Sequence, residues 1–410
     1  MPAWCAKTEP ETMREMTKAI AVTAAAIATI AVPLSGASQD LPSIAIGDAR
    51  VAPPPEAALA PVVLLVDLGT GQTLYEKNAE RRFMPASVTK VMTAYTAFEM
   101  IERGEIDLRQ RYTFDEDSYR NWRRRGSTMF LGLGEQVSVA ALLQGILTVS
   151  ANDGSALLAK GAAGSVEAWT ARMNGEARAI GMRDSSFGSP NGFPDEGRTF
   201  TTARDLITLA QAIVTRHPDK YAAFFGHKRL TWDEITQENH DPLIGNVEGA
   251  DGMKTGFTNE AGYTYLGSAE RNGRRLAVVV AGAERGRDRN AAARAMIEWG
   301  FSAWQPRRLF AQGQEVGRAK VQQGAASSVG LVAPRQFHLN IPTASDGEID
   351  LRLTYRGPLV APIAAGDTVA RLQIRIDGEL VQSAPLVAAD DVGDADAVDR
   401  LGNGVFGWLQ

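Results

Sequence analysis

The sequence predicts an α+β domain followed by a small all-β domain. Three observations lead there: an apolar hairpin near residue 62, helical periodicity through the middle of the chain, and a return to short alternating segments after residue 250. The hairpin is VVLLVDLGTGQTLYEKNAERRF, an apolar strand, a Gly69-Thr70-Gly71 turn and a return strand. From Ser87 onward Val88, Val91, Met92 and Tyr95 recur at helical spacing, and helical patterns dominate from Val137 to about Met182, with Leu142, Leu143, Ile146 and Leu147 on one stripe. TTARDLITLAQAIV, Thr201 to Val214, is another amphipathic helix. The period then changes. DGMKTGFT, GYTYLGSAE and RRLAVVVAGA are separated by Asn259–Gly262 and Arg271-Asn272-Gly273, which predicts an antiparallel meander. The helix RNAAARAMIEWGFSAW closes the unit near Trp304. Strands at both ends and helices between them let the first hairpin join the late meander in one sheet.

From about Leu309 to Pro385 the chain is built of short segments such as VGLVAPRQFHLNIP and IDLRLTYRG, with Gly, Pro and Asp turns and almost no helical period. The expected division is a signal peptide over 1–37, a loosely ordered Pro/Ala-rich leader over 38–60, an α+β domain over 61–305, a β-rich domain over 306–386 and a tail over 387–410. The signal reading rests on Arg14 and Lys18 ahead of the apolar run Ala19–Leu34, followed by the small residues Ser35-Gly36-Ala37. A retained N-terminal anchor is the alternative.

Composition excludes several function classes. Among 410 residues, 44% are hydrophobic and 22% charged, and the net charge of −5 gives no footprint for nucleic acid. The single Cys5 lies before the apolar run, so the rest of the chain forms no disulfide and no thiolate metal site. His217, His227, His240 and His338 are scattered without metal-ligand spacing. No metal or other cofactor is expected, and any hydrolytic chemistry here is expected to run without zinc and without a Ser-His pair.

Three short motifs sit at element boundaries. In Ser87-Val88-Thr89-Lys90 the two polar side chains fall on one helical face, about 5–6 Å apart at Cβ. A helix N-terminus favours an alkoxide on Ser87 and disfavours a protonated Lys90, which suits a serine nucleophile with a lysine base. Taken alone, the tetrad also reads as a capped helix with a surface lysine. Ser150-Ala151-Asn152 lies in a loop between two apolar helices, where Ser can pass a proton and Asn can hold an amide; it also reads as an ordinary turn. Lys254-Thr255-Gly256 lies on the first meander strand. Gly within a strand marks close approach, and an edge strand with Lys and Thr can receive an extended peptide and its carboxylate; a plain edge lysine is the other reading.

In this order and context the motifs make the signature of penicillin-binding proteins and class A β-lactamases. With GSTMFLGLGEQVSVAALLQGILTVSANDGSALLAKGAAGS, MNGEARAIGMRDSSFGSPNGFP and TTARDLITLA, the chain resembles the D-alanyl-D-alanine carboxypeptidases, low-molecular-mass penicillin-binding proteins, over about Ala60 to Trp304. Its β-rich part resembles the C-terminal domain of the larger members. The resemblance implies a penicillin-recognising serine transferase/β-lactamase-like fold and a set of roles. Ser87 would attack the penultimate D-Ala carbonyl of a peptidoglycan stem peptide, and Lys90 would take its proton. Ser150 would relay a proton to the departing amine with help from Lys254, and Asn152 would hold the acyl side. Lys254 and Thr255 would address the terminal carboxylate beside Gly256, and the N–H groups of Ser87 and Phe257 would form the oxyanion hole. β-Lactams would be covalent inhibitors, and the location exported, in the periplasm or cell envelope.

Two features depart from the family. Many members carry His where this chain has Phe257, and the larger ones often end in a basic amphipathic helix. Here the tail is acidic, with Asp390, Asp391, Asp394, Asp396 and Asp399, so peripheral membrane association rests on the apolar spacing of Val398, Leu401, Val405 and Trp408. A D,D-endopeptidase shares all three motifs and is the alternative reading. A β-lactamase is disfavoured by the missing Glu-x-x-Leu-Asn segment, and an inactive scaffold by the intact motifs. Arg120, Arg123, Arg124 and Arg125 around Trp122 read as a solvated loop or as a grip on acidic glycan-peptide strands, and His240 as a loop histidine or a carboxylate aid near Lys254.

Overall fold

The structure, a computed structural model, describes residues 36–41, 44–45, 51–343, 348–376 and 378–396. Most of the expected export signal and the apolar part of the tail lie outside the described residues.

The first domain is built on a five-stranded antiparallel sheet in the order Gln72–Lys77, Val62–Asp67, Arg274–Ala283, Gly262–Arg271 and Ala250–Thr258. The N-terminal hairpin thus joins the late meander through Val62–Asp67, which pairs with Arg274–Ala283. Asn272 and Gly273 both take positive φ in the tight turn between Gly262–Arg271 and Arg274–Ala283. Both sheet faces are buried, and period two sorts the side chains. Val62, Leu64, Val66, Ala277 and Val279 face a helical cluster that includes Val91, Met92, Phe98, Leu142 and Ile146. Val63, Leu65, Leu276 and Val278 face the opposite way, onto Met296 and Ile297 of the closing helix Gly286–Ser302. The helical layer contains Thr89–Glu102, Val139–Thr148, Asn152–Ala163, Val166–Ala179 and Ala203–Arg216. Ser138, Ser165 and Thr202 cap three of these helices through their side-chain oxygens.

The second domain has its own core, with Leu331, Leu339, Leu353, Leu372, Ile374 and Leu386 all buried. Its strands run from Trp304–Phe310 to Glu379–Ala388, and the largest sheet centres on Glu348–Arg356, Thr368–Ile376 and Glu379–Ala388. The segment across the expected end of the signal and start of the leader carries a strand: Gly36–Asp40 pairs antiparallel with Glu348–Arg356, and Arg352 Nε donates to Asp40 Oδ1 at 2.6 Å. Farther on, Pro55–Leu59 forms a 3-10 turn whose Ala57 is buried among the side chains of the closing helix. Edge pairing uses main-chain groups, which carry no side-chain signature. At the start of the expected tail, Val392 and Ala395 are buried, and Val392 pairs with Ile363.

A buried polar cluster joins the domains at the Asp67–Gln72 turn. Gln72 Nε2 donates to Asn340 O at 2.9 Å and Asn340 N donates back to Gln72 Oε1 at 2.7 Å. Asn340 Nδ2 donates to Asp67 Oδ2 at 3.0 Å, and Arg274 Nε reaches the same oxygen at 2.8 Å. The turn is closed by Gly69 and Thr70 N–H groups, each 2.9 Å from Asp67 Oδ1.

Candidate active site

Ser87 sits one step earlier in the fold than its spacing suggests. It lies in a short 3-10 turn, Ala86–Val88, and the α-helix begins at Thr89 without a side-chain cap. The capped-helix reading is therefore excluded. Ala86 takes the left-handed conformation (φ 49°), as does Ser150 (φ 63°), so both serines stand beside or in backbone that is costly for non-glycine residues. Thr264 Oγ1 on the sheet donates to Pro85 O at 3.0 Å and ties the turn down.

Lys90, in the first helical turn, is fully buried. Its Nζ is 2.9 Å from Ser87 Oγ, 2.8 Å from Asn152 Oδ1 and 2.9 Å from Asn191 O. Burial first, and then the positive charge of Lys254, hold its pKa well below the ordinary lysine value, with Asp153 opposing. Asn152 is itself fixed: its N–H donates to Ser127 O at 2.8 Å and its Nδ2 to Arg125 O at 2.9 Å. Asp153 accepts from the N–H groups of Met129 at 3.0 Å and Leu131 at 3.2 Å, pinning the neighbouring loop.

The opposite wall is the edge strand Ala250–Thr258. Gly256 is required there by backbone packing: a Cβ would lie 2.6 Å from Pro85 O and 3.0 Å from Ser87 N. The close approach expected from glycine is therefore to the Ser87 turn itself. Phe257, half exposed at 50%, stacks on Tyr263 at 4.2 Å. Lys254 is almost fully buried and donates to Thr255 O at 3.0 Å. Burial and the Arg289 charge pull its pKa down to about 7, against the raising effect of Asp241. Tyr265 Oη donates to both Asp241 oxygens at 2.9 Å, and Leu243 N donates to Asp241 Oδ1 at 2.8 Å.

Between the walls lies a cleft of about 520 Å³ lined by Ser87, Ser150, Asn152, Thr255, Gly256 and Phe257, with Lys90 and Lys254 buried behind it. All eight residues singled out from sequence thus converge. His240 also reaches the cleft, whereas His217 is buried elsewhere against Glu99. Three contributors were missed: the Asn191 carbonyl on Lys90, Asp241 beneath Lys254, and Arg289, whose NH1 donates to Thr264 O at 3.1 Å while its side chain lines the cleft. Among the described residues no cluster has the composition of a metal site. The arrangement suits nucleophilic attack by a serine on a carbonyl, with an amine to take its proton and cations for an anionic substrate terminus.

Comparison with known proteins agrees. The sequence pattern of the D-alanyl-D-alanine carboxypeptidase family matches residues 49–285, more than half of the chain. The chain belongs to this family. The pattern of the penicillin-binding protein 5 C-terminal domain matches residues 304–394. The chain is 30% identical to the D-alanyl-D-alanine carboxypeptidase DacA of Haemophilus influenzae, over 90% of this chain and 93% of that one. It is 32% identical to DacC of Escherichia coli, over 82% of this chain and 85% of that one. Among solved structures, penicillin-binding protein 5 of Haemophilus influenzae superposes with a TM-score of 0.75 at 31% identity, covering 84% of this chain and all of that one. Penicillin-binding protein D2 of Listeria monocytogenes, solved in an ampicillin-bound form, superposes at 0.53 and 28% identity, over 62% of this chain and all of that one. Members of this carboxypeptidase family are serine peptidases, in keeping with the serine and buried lysine in the cleft.

Proposed function

We propose that this chain is a serine-type D-Ala-D-Ala carboxypeptidase that removes the terminal D-alanine from peptidoglycan stem pentapeptides through a Ser87 acyl-enzyme, limiting cross-linking. The observation that carries the reading is the buried Lys90 amine 2.9 Å from Ser87 Oγ. A neutral amine has two N–H bonds and one lone pair. Asn152 Oδ1 and Asn191 O only accept, so they take the two N–H bonds and leave the lone pair for the Ser87 proton. Ser87 Oγ then bonds to the carbonyl carbon of the penultimate D-Ala as its proton passes to Lys90 Nζ.

The oxyanion is held by the N–H groups of Ser87 and Phe257, a role supported by the closeness of Gly256 to Ser87 N. The C–N bond breaks, and the departing D-alanine amine takes a proton relayed through Ser150 with help from Lys254. Water next attacks the ester carbonyl and releases the shortened stem. Asn152 holds the acyl side, and Lys254, Thr255 and Arg289 bind the terminal carboxylate against the Gly256 backbone. A β-lactam acylates Ser87 in the same way but keeps its leaving group tethered.

The enzyme acts outside the cytoplasm, in the periplasm or cell envelope where its substrate lies, with the tail as its peripheral contact to the membrane. The test is D-alanine release from diacetyl-Lys-D-Ala-D-Ala, together with labelling by a fluorescent penicillin, for wild type beside Ser87→Ala. Both signals should vanish in the variant. Rapid penicillin turnover without D-alanine release would replace the reading with a β-lactamase, and cleavage confined to cross-linked dimers would replace it with an endopeptidase.

A further inference from the structure

The arginine run left open by the sequence lies at the mouth of the cleft. Helix Glu116–Trp122 ends just before Arg123, and Arg124 takes a left-handed conformation (φ 55°). Arg125 is fixed from two sides. Its carbonyl accepts from Asn152 Nδ2 at 2.9 Å, and its exposed guanidinium lies 4.5 Å from the ring centre of Phe193, a cleft-lining residue, and 5.5 Å from that of Trp122. Trp122 and Phe193 meet edge to face at 5.8 Å, making a rigid aromatic shelf.

Among the described residues Arg123, Arg124 and Arg125 form no ion pair, whereas Arg120 one turn earlier pairs with Glu116 at 2.9 Å. An aromatic shelf orders the guanidinium but leaves its five N–H donors unused. The cleft therefore has cations on both walls: Lys254 and Arg289 on the strand side, and Arg125 on the side of Asn152.

We propose that Arg125 is a specificity-determining residue that binds a free carboxylate on the acyl-side arm of the substrate, so that the preferred stem peptide is acidic on both sides of the scissile bond. The inference rests on the carboxypeptidase reading, in which Asn152 addresses the acyl side. A diamino-diacid residue preceding the D-Ala pair presents such a carboxylate, and a lysine at that position does not.

The experiment compares kcat/KM for D-alanine release from two peptides: acetylated diaminopimelyl-D-Ala-D-Ala, with its side-chain carboxylate free, and diacetyl-Lys-D-Ala-D-Ala. Wild type should prefer the acidic peptide, and the preference should shrink as salt rises from 0.05 to 0.5 M. Arg125→Ala should lower the acidic-to-neutral ratio about tenfold, as expected for a lost charge-assisted hydrogen bond. Arg125→Glu should lower it further, Arg125→Lys should retain part of it, and Arg120→Ala should leave it unchanged. An unaltered ratio in Arg125→Ala, or equal losses on both peptides, overturns the inference while leaving the carboxypeptidase reading standing. No release from either peptide by wild type overturns both. If Arg125→Ala fails to fold, the Arg125→Lys ratio and the wild-type salt dependence decide.

Discussion

Substituting Gly192 by alanine should cripple acylation without touching any reacting side chain. Gly192 has φ 71° and lies against the Ser87 turn, where a Cβ would sit 1.8 Å from Ala86 O and 2.7 Å from Thr89 Oγ1. A carbon–oxygen contact settles at about 3.3–3.6 Å, so the 191–193 segment has to retreat by more than about 1 Å. The left-handed conformation adds about 1–2 kcal/mol for alanine. The same retreat stretches the 2.9 Å bond from Lys90 Nζ to Asn191 O beyond hydrogen-bond range. Lys90 then loses one of the two carbonyls that orient its lone pair toward Ser87. A misplacement of about 1 Å in a reacting group costs about 100-fold in rate, and that is the expected fall in the second-order rate constant for acylation by a fluorescent penicillin. The assay is time-resolved labelling, with a thermal melt on the same sample to confirm folding. Wild-type acylation by a folded Gly192→Ala variant would refute the argument that Asn191 O sets the Lys90 geometry.

Other outcomes follow from the charges and the domain junction. The lowered pKa of Lys254, about 7, means that it loses its proton as pH rises through neutrality, so carboxylate binding should weaken above that point. The alkaline limb of kcat/KM should fall about tenfold per pH unit there, and a flat profile from pH 7 to 9 would exclude a carboxylate role for Lys254. Asp241 raises the Lys254 pKa, so Asp241→Asn should shift that limb to lower pH; an upward shift would contradict the assignment. At low pH, kcat/KM should fall as Lys90 takes up a proton and loses its lone pair. Asn340→Ala removes the amide donor to Asp67 at the domain junction. A buried acceptor that loses a donor costs about 1–3 kcal/mol, which should appear as a lower melting temperature of the full chain with penicillin labelling retained. An unchanged melting temperature would show that the cluster does not stabilise the junction.

The class of the fold and most of the candidate site were legible in the residues alone. The continuous apolar runs in Val62–Asp67 and Arg274–Ala283 mark strands buried on both faces, because period two sends successive side chains to opposite faces and both faces here are apolar. Ser87, Lys90, Ser150, Asn152 and Lys254 were legible because each belongs to a short motif whose chemistry depends on local spacing. Tertiary structure alone decided the rest. Arg289 cannot be told from Arg285 or Arg287 until the closing helix is laid against Thr264, and Asp241 is an ordinary loop carboxylate until Tyr265 and Lys254 surround it. Asn191 acts on Lys90 through its carbonyl, a group that every residue possesses and no residue type announces. Ser87 changed in the same way. Spacing put it at a helix cap, whereas the packing of Gly256 and Gly192 against its turn holds it in a 3-10 geometry facing a buried lysine. Spacing along a chain fixes which side chains share a face, but burial and main-chain partners arise only when distant segments close around them.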